Sequence, residues 1–172
     1  MRGFCTIIGP GDVSGAAGVA AGIYLNFSSR LGTVRISQVT VHDNGDGIGD
    51  GARRLILTDV VSSNNRLNGI YFIQGSLRGY NVTTSNNGMN GVLADNVSVR
   101  LEQFTAIANA EIGLNHSHRR RTLLVGSRLT GNQWSSGSGP LDLFSSARPK
   151  LVDTVCEHSL GPAGPWGVCS GD

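Results

Sequence analysis

Five glycines, each followed by an aliphatic residue, return along this chain at nearly fixed intervals: Gly22-Ile23, Gly47-Ile48, Gly69-Ile70, Gly91-Val92 and Gly113-Leu114. The last three steps, 69−47, 91−69 and 113−91, are each 22 residues, and the first, 47−22, is 25. Asparagines keep the same interval at Asn44, Asn65, Asn87, Asn109 and Asn132. Two apolar columns run with them, Val34, Leu55, Leu77 and Val99, then Val39, Val60, Val82 and Phe104. Four columns that share one period within a residue mark a repeat architecture, in which each coil stacks on the next.

The coils "LILTDVVSSNNRLNGIYFIQGS" and "LRGYNVTTSNNGMNGVLADNVS" consist of short β-branched pieces broken by Asn and Gly. Neither contains a stretch with the 3.6-residue spacing of an amphipathic helix. A leucine-rich horseshoe has a comparable period, but its fixed leucine pattern is absent. The expectation is an all-β parallel β-helix whose successive strands lie ~4.8 Å apart. Stacked Val, Ile and Leu would form the core, and the Asn column a ladder of side-chain amides at a tight turn. The glycines suit a turn that needs positive φ or close backbone approach.

Composition agrees. The chain has 172 residues, enough for one domain with a core, and its 25 glycines with only 6% aromatics speak against a helical bundle. No apolar run reaches the ~18 residues of a membrane span. The net charge is +2, and every basic residue except Lys150 is an arginine. Base composition can produce that bias, and so can a need for flat, bidentate anion recognition. Few aromatics and near-neutral charge speak against nucleic acid. The opening "MRGFCTIIGPGDVSG" lacks a signal-peptide pattern, so either a signal has been removed or the chain is not exported on its own.

The stretch "HDNGDGIGDG" spaces Asp43, Asp46 and Asp50 as calcium ligands are spaced. Asn44 and Gly47 nevertheless belong to the repeat columns, which makes this the turn of the second coil, one residue shorter than its neighbours. Calcium at Asp43, Asp46 and Asp50 is therefore a minor expectation, since loops of that kind come in arrays. No His/Cys cluster has zinc spacing, and no other cofactor is expected.

The N-x-x-NG-[IV] coils of residues 34–132 resemble the right-handed parallel β-helix repeat of the pectate-lyase-like superfamily. "GFCTIIGPG" followed by "AGIYL" looks like an early coil of its secreted bacterial members. The resemblance implies a right-handed, single-stranded solenoid of about six coils over residues 1–153, with a cap over 154–172. It implies no one activity, because that superfamily includes lyases, hydrolases, epimerases and adhesins. The segment from Cys156 to Cys169 resembles the cysteine-bounded C-terminal end of some exported β-helix proteins. That implies a Cys156–Cys169 disulfide and a secreted or cell-surface location; two free thiols in a tail are the alternative. Nothing before Cys5 looks like a cap, so the N-terminal end is expected to meet a second copy of the chain or missing coils.

On a solenoid, residues one period apart share a face. Steps of 22 place Arg53 with Gly75, Val97 and Arg119, and Arg54 with Ser76, Ser98 and Arg120. They also place Arg78 with Arg100, His116 with Asp50, Phe72 and Ala94, and His118 with Ala52, Gln74 and Asn96. One polar surface is expected from "ADN" and "NHSHRRR". Asp95, His116, His118 and Arg119 are its candidate catalytic groups, and Arg53, Gln74, Asn96 and Arg120 its candidate substrate-binding groups. A solvated turn is the plain alternative, and His42 and His158 read as lone surface histidines. Three functions stay open: binding of an acidic polysaccharide along one face, lyase or epimerase action on uronic acids, and a structural or adhesive module.

Overall fold

The computed structural model describes residues 4–15, 21–25, 32–135, 137 and 139–172, and their side chains except at 4–10 and 50. Among the described residues there is no helix; the chain is a parallel β-solenoid of about five turns. The turn count is thus slightly below the expected six. Each turn visits three faces.

The first face contains β2 (Ile23–Leu25), β4 (Ile48–Asp50), the start of β6 (Ile70–Ser85), the start of β7 (Val92–Ile107), β8 (Leu114–Ser117), β13 (Leu143–Ser145) and β16 (Ser159–Leu160). The second stacks the start of β1 (Phe4–Ser14), of β3 (Thr33–His42) and of β5 (Arg54–Ser63) on the middle of β6 and β7. It continues through β9 (Thr122–Val125) to β14 (Lys150–Val152). The third holds the ends of β1, β3, β5, β6 and β7, then β10 (Arg128–Thr130) and β15 (Val155–Cys156). A hairpin of β11 (Gln133–Trp134) and β12 (Gly139–Pro140) projects from one turn. β15 and β16, inside the 154–172 segment, still pair as strands of the stack, and the non-repeating tail follows them.

The corners between faces need backbone that turns outward within one residue, and left-handed conformations supply it. Gln38, Asp59, Asn81 and Gln103 form one such column, with φ from 51° to 57°. Asp43, Asn64, Asn86 and Ala108 form a second, and Gln74, Asn96 and His118 a third. Short amide and carboxylate side chains tolerate this conformation best. The repeat glycines at 47, 69 and 91 are not among the positive-φ residues. A Cβ on Gly69 would meet the carbonyl oxygen of Gly91 at 2.7 Å and Asn87 Nδ2 at 2.8 Å. Close approach between coils therefore sets that column.

Alternation along each strand sends Leu55, Leu57, Leu77, Val99 and Leu101 inward from the second face and Ile48, Ile70, Val92 and Leu114 from the first, all at most 2% exposed. The asparagines bond as a ladder. Asn44, Asn65, Asn87 and Asn109 each donate a side-chain amide to the Oδ1 of the next, the last reaching Asn132 at 2.8 Å. Asn132 then donates to Asp142 Oδ1 at 2.8 Å. A second ladder runs the other way: Asn115 donates to Asn90, Asn90 to Asn68, and Asn68 to Asp46 Oδ1 at 2.9 Å. A carboxylate only accepts, so an aspartate at the end of each ladder fixes the direction of donation.

The tail after β16 folds back over the end of the stack. Cys156 and Cys169 form a disulfide with a Cα–Cα distance of 4.9 Å and a sequence separation of 13. The Asp172 carboxylate accepts hydrogen bonds from the Ser159 backbone and hydroxyl and, at 2.9 and 3.0 Å, from the amides of Val168 and Cys169. Closing a loop of this length stabilises by roughly 3 kcal/mol in the chain-entropy model. Reduction is expected to lower the urea unfolding free energy by about that amount; an unchanged midpoint would show that the closure adds nothing. No helix is long and apolar enough to cross a membrane among the described residues.

Candidate functional site

The second face carries the charge. Its outward positions form two columns between the buried ones. Thr33, Arg54, Ser76 and Ser98 stand in register in one, and Arg35, Ile56, Arg78, Arg100, Leu123 and Lys150 in the other. Arg121 precedes Thr122, which pairs with Val99, so it continues the first column. Each coil of this face thus contributes one cation to the two columns: Arg35 in β3, Arg54 in β5, Arg78 in β6, Arg100 in β7, Arg121 immediately before β9 and Lys150 in β14, every one exposed. Ile56 and Leu123 occupy the second column where the first supplies the arginine. With ~4.8 Å between strands, the row extends for about 24 Å along the solenoid. Serine hydroxyls lie between the arginines, and Ser76, Arg78, Ser98, Arg100 and Arg121 border one shallow cavity of about 210 Å³. Arg100 is already engaged, its Nε and Nη2 each 2.7 Å from Glu102 Oε1.

At the corner where the first face meets the second, His118 Nδ1 lies 2.5 Å from Asp95 Oδ1, and the Ser117 hydroxyl donates to the same oxygen at 2.6 Å. Donation by Ser117, followed by the His118 contact, holds the Asp95 carboxyl below its ordinary value, against the opposing effect of burial. With Nδ1 on the carboxylate, Nε2 is the ring nitrogen left to meet a substrate, as in an oriented acid–base pair. Arg120 Nε donates to Asn96 Oδ1 at 3.1 Å beside it. The structure therefore brings Asp95, His118, Asn96 and Arg120 together and adds Ser117. Gln74 sits one coil away at the same left-handed corner, exposed, and Arg53 borders a second shallow cavity with Gly32, Thr33 and Arg54. Arg119 is exposed.

His116 is a correction. It was expected on this polar surface, yet it is 0% exposed and points into the solenoid. Strand alternation is the reason: His116 pairs with Ala94 and Ala94 with Phe72, an inward column. Its Nε2 meets the Val97 carbonyl at 2.7 Å, which can only accept, so Nδ1 receives the Thr122 hydroxyl at 2.6 Å. Both nitrogens are used inside the core.

Burial holds the His116 imidazole below its ordinary value of 6.5, with nearby Asp95 and His118 acting in opposite senses. An unfolded chain binds this proton near pH 6.5 and the folded one resists it. The stability contribution is therefore complete above that pH and is lost as pH falls towards the depressed folded value. Melting from pH 7.5 to 5 is expected to show a steeper loss for the wild type than for His116→Gln. Parallel profiles would contradict this. His42, bridging Asp12 at 2.9 Å and Asp43 at 2.6 Å, has its value raised by those carboxylates, Asp43 first, and contributes in the opposite sense.

Of the calcium candidates, Asp43 is bonded to His42 and Asp46 ends a ladder on Asn68, while the side chain of Asp50 lies outside the described residues. A different group, Asp142, Glu157 and His158, brings its ligand atoms within 4.8 Å of one another. Comparison with protein-family models, curated proteins and solved structures finds no match to this chain.

Proposed function

We propose that this β-solenoid is an exported protein that binds an acidic polysaccharide lengthwise along its second face. The observation that carries the reading is the row of one cation per coil in the two outward columns. A linear polymer of charged sugars advances, residue by residue, by a distance of the order of one strand spacing. Flat guanidinium groups suit its carboxylates and the intervening serine hydroxyls its ring hydroxyls. An open sheet face with shallow cavities favours holding a chain over enclosing one bond. Export is supported by the disulfide, which fits an oxidising compartment. The resemblance to pectate-lyase-like proteins supports the ligand class by analogy alone.

A second reading rests on the Asp95–His118 pair. An oriented imidazole beside Arg119 and Arg120 is what a uronate lyase or epimerase needs, a base for the proton next to a carboxylate and cations to neutralise that carboxylate. A glycan array of acidic and neutral polysaccharides, followed by ultraviolet absorbance with each hit, separates the readings. Binding to acidic glycans without new absorbance is the expected result. New absorbance, from the unsaturated product of β-elimination, that disappears in His118→Gln would replace binding with turnover. Silence across the array would leave a structural module.

A further inference from the structure

We propose that Asp142, Glu157 and His158 form a zinc site that ties the last coil to the C-terminal tail, independent of the glycan-binding face. Their ligand atoms lie within 4.8 Å of one another. Donors held ~2.0–2.2 Å from one zinc ion are separated by about 3–4 Å, so only small side-chain adjustments are needed. One imidazole with two carboxylates is a mixed nitrogen and oxygen set that suits zinc better than calcium or magnesium, which take oxygen.

Two further features of the site ask for a cation. The Nδ1 atom of His158 is buried with no hydrogen-bond partner, a condition that native interiors resolve with a water or an ion. Asp142 is 1% exposed, yet its carboxylate receives only neutral groups: the amides of Asn132 on Oδ1, and the backbone amides of Glu157 at 2.9 Å and His158 at 3.4 Å on Oδ2. No arginine or lysine among the described residues pairs with it. A carboxylate buried so completely is normally matched by a positive charge. One zinc ion answers both needs, filling the His158 lone pair and neutralising Asp142. Glu157 is exposed and free to turn in as the third ligand. A cavity of about 350 Å³ bordered by Trp134, Pro140, His158 and Asp172 lies beside His158.

The site has a structural consequence. Asp142 ends the first asparagine ladder, and Glu157 and His158 follow the disulfide cysteine Cys156 directly. Zinc there would join the buried polar spine of the solenoid to its cap. The sequence hides the arrangement, because 15 residues separate Asp142 from Glu157 and no ligand spacing marks it.

The test uses the full oxidised chain, so that Cys156 and Cys169 offer no thiolate, stripped with a chelator and titrated with zinc against a competing indicator dye. One zinc per chain is expected, with a rise in Tm of several degrees once zinc reaches about 100 times its Kd, and no rise with calcium. Glu157→Gln and His158→Gln should each weaken binding more than about tenfold, whereas His118→Gln should leave it unchanged. Glu157 is exposed, so that variant keeps the fold. Absence of stoichiometric binding, or binding indifferent to both ligand variants, would overturn the site. Loss of binding in His118→Gln alone would overturn it too, placing zinc at the corner instead.

Discussion

Ile70→Asp will destabilise the protein by about 4 kcal/mol or more at pH 7, enough to abolish cooperative unfolding in a domain of ordinary stability. Ile70 is 0% exposed and stands in an inward column between Ile48 and Val92, with which it pairs directly. An aspartate there places an unpaired carboxylate among aliphatic groups of two neighbouring coils. Desolvation raises the carboxyl towards its neutral form, so the damage should shrink as pH falls towards 4. Circular dichroism under urea, at pH 7 and at pH 4.5, reads both effects. A variant that unfolds with the wild type at pH 7 would mean that the first face has been assigned the wrong way round.

Asn109→Ala follows in size. Its amide donates to Asn132 Oδ1 at 2.8 Å and to the Thr84 carbonyl at 3.2 Å, and its Oδ1 accepts both the side chain and the backbone N–H of Asn87. Truncation removes those four buried hydrogen bonds, leaving Asn132 Oδ1 only the Asn109 backbone N–H and Asn87 Nδ2 only the Ser62 carbonyl. At about 1 kcal/mol for each buried hydrogen bond lost, the expected cost is roughly 3–4 kcal/mol. Asn68→Ala, in the shorter second ladder, should cost less, because its neighbour Asp46 is only half-buried. Equal midpoints for Asn109→Ala and the wild type in urea would show that water replaces the ladder at no cost.

The period of 22 was enough to reach the solenoid, because stacking forces equivalent residues into columns and each column has one physical environment. The Asn ladder and the inward Ile–Val columns were legible for that reason. Three other features were not. The second ladder was hidden because Asn68 and Asn90 adjoin the repeat glycines and read as part of the turn. His116 reads as surface because its neighbours in sequence are polar, although Phe72 and Ala94 in its own column signal an inward position. The row of six cations was only partly visible: Arg78 with Arg100 emerged from the period, but Arg121 and Lys150 did not. From Asp95 to Val99 is four residues and from Ser117 to Thr122 is five, so the arginine turn contains one extra residue and moves Arg121 into the place a step of 22 gives to Arg120. From Leu123 to Lys150 the step is 27. Insertions at corners leave the stack intact while breaking the arithmetic that would reveal it.

The most direct test of the binding face is calorimetric titration of the protein with homogeneous acidic oligosaccharides of increasing length. If one sugar charge meets one strand, affinity should rise with length up to about six charged residues and then level off, as the row from Arg35 to Lys150 is filled. It should fall steeply with added salt, and Arg54→Ala combined with Arg78→Ala and Arg121→Ala should remove most of it without altering the melt. Affinity that ignores length and salt, or survives the triple substitution, would contradict the account.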